Sequence, residues 1–144
     1  MSTPPTEYRF SDQIGHLLRR AYQRHVAIFQ QTVPDSQLTA AQFVVLCAIR
    51  DGGACEIADI VKATAIEEDS VRGIVERLKW RKLLAVDHPP GDTRSMSVTL
   101  TPEGKAMVEQ IVPFAKEISE ITFGELTADE RAAIVGLLRK ISGI

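Results

Sequence analysis

The sequence predicts a mainly α fold with a small β-hairpin, a winged helix-turn-helix, and three observations carry that expectation. Two short amphipathic stretches, "EIADIVKATA" and "EEDSVRGIVERLKWRKLL", are separated by only a few residues near Thr64–Ile66, the tight spacing of a helix-turn-helix. Two strand-like runs follow at once, "LLAVD" and "SMSVTL", joined by the Pro/Gly loop "HPPGDTR". Helical periodicity brackets this module on both sides. The expected order is α-α-α-α-β-β-α-α.

Taken in order, residues 1–10 carry prolines and little apolar content, and read as a flexible arm. From Asp12 to about Gln31, Ile14, Leu17, Leu18, Ala21, His25, Ile28 and Phe29 recur at three- and four-residue spacing, one stripe of a helix. Pro34 in "VPDSQL" breaks it. Thr39 and Gln42 in "TAAQ" have the spacing of a capping box, "FVVLCAI" continues the helix, and "DGG" stops it. Ile57, Ile60 and Val61 line the third helix; Val71, Ile74, Val75 and Leu78 line the fourth. In "SMSVTL", Met96, Val98 and Leu100 alternate with Ser95, Ser97 and Thr99, the period of a half-buried strand. "TPEG" restarts a helix, with Thr101 as cap, Pro102 at its first position and Glu103 facing the positive end of the dipole. Met107, Ile111, Phe114, Ile118 and Ile121 point inward along it, and Pro113 should kink it. Thr127 and Glu130 cap a last helix bearing Ile134, Leu137, Leu138 and Ile141.

At 144 residues the chain is one domain with an extension at each end: residues 11–36 and 102–144 as a dimerisation region around a winged module of 37–101. The apolar faces of the end helices need a partner, and a second copy is the economical one. No apolar run approaches the roughly 20 residues that span a bilayer, and "MSTPPTEYRF" lacks the core of a signal peptide, so a cytoplasmic protein is expected. The chain shows no Ser/His/Asp set, Gly-rich phosphate loop or metal-ligand spacing, so neither enzyme, metal nor cofactor is expected. Cys47 sits in an apolar helical run and reads as a small hydrophobe; a thiol redox sensor on the same scaffold is the alternative for Cys47 and Cys55. A winged-helix protein-interaction module is a further alternative.

Net charge is −2, yet Ser70–Arg94 holds six basic residues against three acidic ones, a local excess of +3. Charge distribution matters more than the total for a nucleic-acid partner. A helix laid in the major groove of double-stranded DNA reads bases with its N-terminal half. Arg72 is placed to fork onto a guanine edge, Ser70 to touch a base or phosphate, Asp69 to accept from a cytosine amino group, and Gly73 to allow close approach. Arg77 shares their outward side, and Lys79, Arg81 and Lys82 suit phosphates. Glu67, Glu68 and Asp69 are expected to cap the helix, and Trp80 to pack along the seam between this helix and the wing. At the hairpin tip Arg94 has the length and permanent charge to enter a minor groove, with Asp92 holding its guanidinium. On the first helix His25 lies near the centre of the apolar stripe, with Tyr22 and Arg24 on its flanks. His25 reads either as a core or interface histidine or, with Tyr22 and Arg24, as a pocket group for an anionic aromatic ligand.

"LTAAQFVVLCAI", "SVRGIVERLKWRKLL" and "GDTRSMSVTLTPEG" together resemble the MarR family of bacterial transcriptional regulators, over roughly residues 12–142. The resemblance implies an obligate homodimer with interlocked terminal helices, bound as a repressor to a pseudo-palindromic operator and released by a small-molecule effector. It implies a pocket between the dimerisation helices and the winged module for small aromatic acids, and the first helix is similar to a subgroup controlling aromatic or nicotinate-type catabolism. Effector binding would change the spacing of two helices that must match half-sites one DNA turn apart. The family wing usually reads Asp-Xaa-Arg, often with a central Arg, where this chain has Asp92, Thr93 and Arg94. Lys82 stands where the family often has glycine, which puts a lysine at a backbone position that favours positive φ.

Overall fold

A computed structural model describes residues 7–92 and 95–144. Helix α1 (Ile14–Thr32), preceded by a single 3-10 turn at Phe10–Asp12, is followed by α2 (Ala40–Gly52), α3 (Ile57–Thr64) and α4 (Glu68–Trp80). Strands β1 (Leu84–Asp87) and β2 (Ser97–Leu100) come next, then α5 (Pro102–Phe123) and α6 (Ala128–Ser142). This is the expected order. The strands pair antiparallel, Leu84 opposite Leu100 and Asp87 opposite Ser97. Cys55 adds a bridge on the other side of β2, exchanging both backbone hydrogen bonds with Val98 at 2.9 and 2.8 Å. The segment before α3 thus becomes a third, one-residue strand of the wing.

Local chemistry sets most boundaries. Thr39 accepts from the Gln42 N–H while Gln42 accepts from the Thr39 N–H, and Thr127 and Glu130 do the same for α6. Two backbone donors are satisfied at each start. α3 starts on a contact that its sequence concealed: the Asp59 carboxylate accepts from the Glu56 N–H at 3.0 Å while the Asp59 N–H donates to the Glu56 carbonyl at 3.1 Å. At the start of α4, Glu67 is the N-cap but makes no side-chain cap hydrogen bond. The acidic cluster therefore does not cap this helix as expected; what it supplies is negative charge at the positive end of the dipole.

The C-terminus of α4 closes on a residue with positive φ. Lys82 adopts φ 62°, its N–H donates to Lys79, and the Leu83 N–H donates to Leu78. That pair of bonds is a Schellman motif, which glycine would adopt without Cβ strain. Thr101 locks the same corner: its hydroxyl donates to the Lys82 carbonyl at 2.7 Å and its N–H to the Leu83 carbonyl at 3.1 Å. α5 continues unbroken through Pro113.

One core joins α1 to α5. Leu38, Leu46, Ile49, Ile60, Val71, Leu78, Val98, Val108 and Ile111 are fully enclosed, each contributing on the order of 1.5–3 kcal/mol by leaving water. Val108 replaces Ile121 in the expected inward set of α5, for Ile121 is 41% exposed. Along α1 only Ile28 and Phe29 are buried, while Ile14, Leu17 and Leu18 stay exposed. α6 buries no residue at all: Ile134, Val135, Leu137, Leu138 and Ile141 face outward. Arg131 fixes the turn into α6 by pairing with Glu120, donating to the Leu126 and Gly124 carbonyls, and lying 5.3 Å over the Phe123 ring. No helix among the described residues is long and apolar enough to cross a membrane.

Candidate nucleic-acid interface and ligand cleft

α4 is held by its inner row, Val71, Val75 and Leu78, all buried. The opposite surface is consequently presented outward. Asp69, Ser70, Arg72, Gly73, Arg77 and Lys79 are exposed along it, and Lys82 just beyond it. They divide between two edges. Arg72 leans toward the wing, bordering a 220 Å³ cleft with Glu56, Ile57, Ser95 and Met96. Ser70, Gly73 and Arg77 border a different cleft, toward α1 and the start of α2. Arg72 is tethered only loosely, its Nε 3.5 Å from a Glu68 carboxylate oxygen in an exposed i,i+4 pair. Such a pair gives way to a better acceptor at little cost. A Cβ added to Gly73 would meet nothing within 4 Å, so its surface is open to an incoming molecule.

Trp80 is not packed along the seam. It is 79% exposed, with its indole N–H donated to Glu76 at 3.2 Å. Leu78 takes the seam, and two residues further on the helix has turned through about 200°. Arg81 also departs from expectation. Its guanidinium donates to Asp35 at 2.5 Å, its side chain is largely covered, and its Nη1 is buried. It is turned toward the protein rather than toward a phosphate.

At the wing tip, Gly91 has φ 79°, the Asp92 N–H donates to the Pro89 carbonyl, and Asp92 accepts from the Ser95 N–H at 3.2 Å. Asp92 thus shapes the turn as well as charging it. Arg94, the residue expected to enter the minor groove, and its fork with Asp92 lie outside the described residues.

The three ligand candidates on α1 separate. Tyr22 is exposed and borders the same cleft as Ser70, Gly73 and Arg77, of about 510 Å³, together with Thr39, Gln42, Ile66 and Ile74. Arg24 points elsewhere: it donates to the carbonyls of Thr122 at 2.7 Å and Ile121 at 3.0 Å, capping the C-terminus of α5 with positive charge. His25 is half-buried between the two helices, its Nδ1 2.8 Å from the Thr122 hydroxyl. That hydroxyl gives its own proton to the Ile118 carbonyl, so it accepts from Nδ1–H, and Nε2 is left as the ring's acceptor. Burial lowers the His25 pKa and favours this neutral form. The His25 ring lies 6.3 Å from that of Tyr22, roughly stacked, though His25 itself does not border the cleft.

Burial raises the pKa of both thiols, Cys47 first by desolvation and Cys55 likewise. Raised thiols are poor nucleophiles toward oxidants, which weighs against the redox alternative. Among the described residues no group of three or more His, Cys, Asp or Glu side chains is arranged to hold a metal.

No protein-family model matches the chain. Individual proteins do. The HTH-type transcriptional repressor NicR of Pseudomonas putida is 52% identical over 136 residues, covering 94% of this chain and 86% of its own. The structure of Bordetella bronchiseptica BpsR, from work on regulation of its DNA binding by 6-hydroxynicotinic acid, superposes with a TM-score of 0.89 at 66% identity, covering 96% of this chain and 99% of that one. A cysteine-to-serine mutant of Escherichia coli MarR complexed with operator DNA superposes with a TM-score of 0.81 at 27% identity, covering 94% and 99%. With a helix-turn-helix and a wing between terminal helices, and with these relatives, the chain belongs to the MarR family of winged helix-turn-helix transcriptional regulators.

Proposed function

We propose that this protein is a homodimeric repressor that grips a pseudo-palindromic operator and lets go when a hydroxylated aromatic or pyridine carboxylic acid binds. The observation that carries the reading is the outward row of α4, where polar and glycine positions from Asp69 to Lys79 are all exposed while the opposite row is sealed in the core. Arg72, Ser70, Asp69 and Gly73 read base edges; Arg77, Lys79 and Lys82 hold phosphates; Arg94 enters the flanking minor groove with Asp92 beside it. Residues 37–101 form the DNA-binding unit, and 11–36 with 102–144 the dimerisation region. The exposed apolar residues of α6 and of the first half of α1 support the second copy as their cover. The protein acts in the cytoplasm, beside the DNA it controls.

The effector site is the Tyr22 cleft between α1 and the winged unit. Tyr22 stacks on the ring, and the His25 Nε2 accepts from a hydroxyl or ring N–H. Arg24 is engaged at the C-terminus of α5 and takes no direct part in the cleft. The compound named for the Bordetella relative, 6-hydroxynicotinic acid, has this chemistry. The test is a gel-shift titration on the promoter of the protein's own gene, with and without that acid. The reading expects binding that exceeds binding to random duplex about 1,000-fold or more, reversed by the acid. Equal affinity for both duplexes would end it.

A further inference from the structure

We propose that Arg81 and Asp35 form a latch that positions the recognition helix for DNA, rather than Arg81 serving as a phosphate contact. The inference rests on the DNA-binding reading of α4. The two residues stand 46 positions apart, one just past the end of α4 and the other in the segment 33–39 that joins α1 to α2. Their charged atoms approach to 2.5 Å, and both side chains are mostly covered.

Each partner is rigidly held by its own backbone. Asp35 accepts from the Gln37 N–H with its other carboxylate oxygen at 2.9 Å and from the Leu38 N–H with its carbonyl at 3.2 Å. Leu38, next to it, is fully buried. Arg81 is the C-cap of α4, its N–H bonded to Arg77 and followed at once by the Lys82 turn. The contact therefore joins two fixed points and not two flexible side chains. Its effect is to tie the C-terminal end of α4 to the foot of α1, the helix that carries Tyr22 and the exposed apolar stripe. The orientation of α4 then depends on that tie as well as on its apolar row. The buried Nη1 of Arg81 agrees, because a guanidinium waiting for phosphate keeps its donors in water.

The two roles differ in sign at Asp35. Removing a carboxylate beside DNA strengthens binding if charge alone matters, and weakens it if Asp35 holds the helix. The experiment uses the full chain and a duplex spanning the promoter of its own gene, titrated at several salt concentrations. Asp35→Asn and Arg81→Ala should each lose affinity about tenfold, and the double variant no more than either single. The salt slope should match that of the original protein, since no phosphate contact is lost. Arg81→Lys keeps the charge but not the planar guanidinium that sets Nη2 on the Asp35 carboxylate, and should still lose several-fold; it decides the matter if Arg81→Ala does not fold. Binding by Asp35→Asn that is equal or tighter, or a slope shallower by about one per chain in Arg81→Ala, would overturn the latch. The unaltered protein, titrated alongside, separates the two claims: if it fails to bind, the DNA reading falls and the latch's role with it, whereas normal binding with indifferent variants refutes the latch alone.

Discussion

Gly104 and the carbonyl of Leu83 are packed so closely that a Cβ on Gly104 would lie 2.1 Å from the Leu83 oxygen. Both sides of this contact are backbone, so neither can yield by a rotamer change. Here α5 leaves the wing and the α4 corner is pinned by Thr101. Gly104→Ala should cost about 2–4 kcal/mol, in the range of severe packing changes. Urea denaturation checks this, and a loss under 1 kcal/mol would mean that α5 shifts freely at its start.

At Gly73 the opposite trade is expected. It lies in the middle of α4 with nothing near an added Cβ, so Gly73→Ala should raise stability by up to about 1 kcal/mol through helix propensity. The same methyl sits where the helix would meet base edges. Operator affinity should therefore fall while the melting temperature rises, a split that a purely structural role for Gly73 does not give.

Arg72 and Arg94 should fail in different ways. Arg72→Ala should relax sequence preference at one position of each half-site, at about 1–3 kcal/mol. Arg94→Ala should weaken binding to every sequence and make the salt dependence shallower by about one per chain. Competition titrations against a panel of single-base operator variants distinguish them.

Acidification should destabilise the protein through His25. Burial lowers its pKa below the ordinary 6.5 in the folded chain, so the unfolded chain takes up a proton first. The stabilising contribution is complete above about 6.5 and is lost as pH falls below it, toward the lowered folded value. His25→Asn, whose side-chain amide nitrogen stands where Nδ1 does and can still donate to Thr122, should flatten the stability profile between pH 7 and 5.5. A profile unchanged by the substitution would assign that slope to other groups.

Neither thiol should sense oxidants. Cys47 and Cys55 both have pKa values raised by burial, and the Sγ of Cys55 is crowded against Gly52, where an added Cβ would lie 2.6 Å away. Millimolar peroxide should leave operator binding intact, with both cysteines found unmodified by peptide mass mapping. Loss of binding together with an oxidised cysteine would reinstate a redox switch.

Much of the fold was legible because its signals are local. Thr39 with Gln42 and Thr127 with Glu130 announce helix starts within four residues, and the alternation through Met96, Val98 and Leu100 announces a strand. Lys82 at positive φ was foreshadowed differently, by the glycine that the resembled family often carries at that position. What stayed hidden is long-range. Arg24 looked like a ligand group because nothing in α1 reveals that the end of α5, 97 and 98 positions away, needs its charge. Asp35 offered no signal that it would meet Arg81. Trp80 was misplaced by its size: a large apolar residue invites burial, but its angle on α4 puts it opposite Leu78. The apolar stripes of α1 and α6 were read correctly as stripes, and only their partner lies beyond a single chain.

The proposed function requires that two copies of α4 read one operator. Footprinting of the protein on its own promoter, with the number of chains per protected site counted by native mass spectrometry, addresses it most directly. Two chains should lie on one protected stretch, whose half-sites are centred about 10 base pairs apart or a multiple of that. A single chain per site, or protection without paired half-sites, would contradict it.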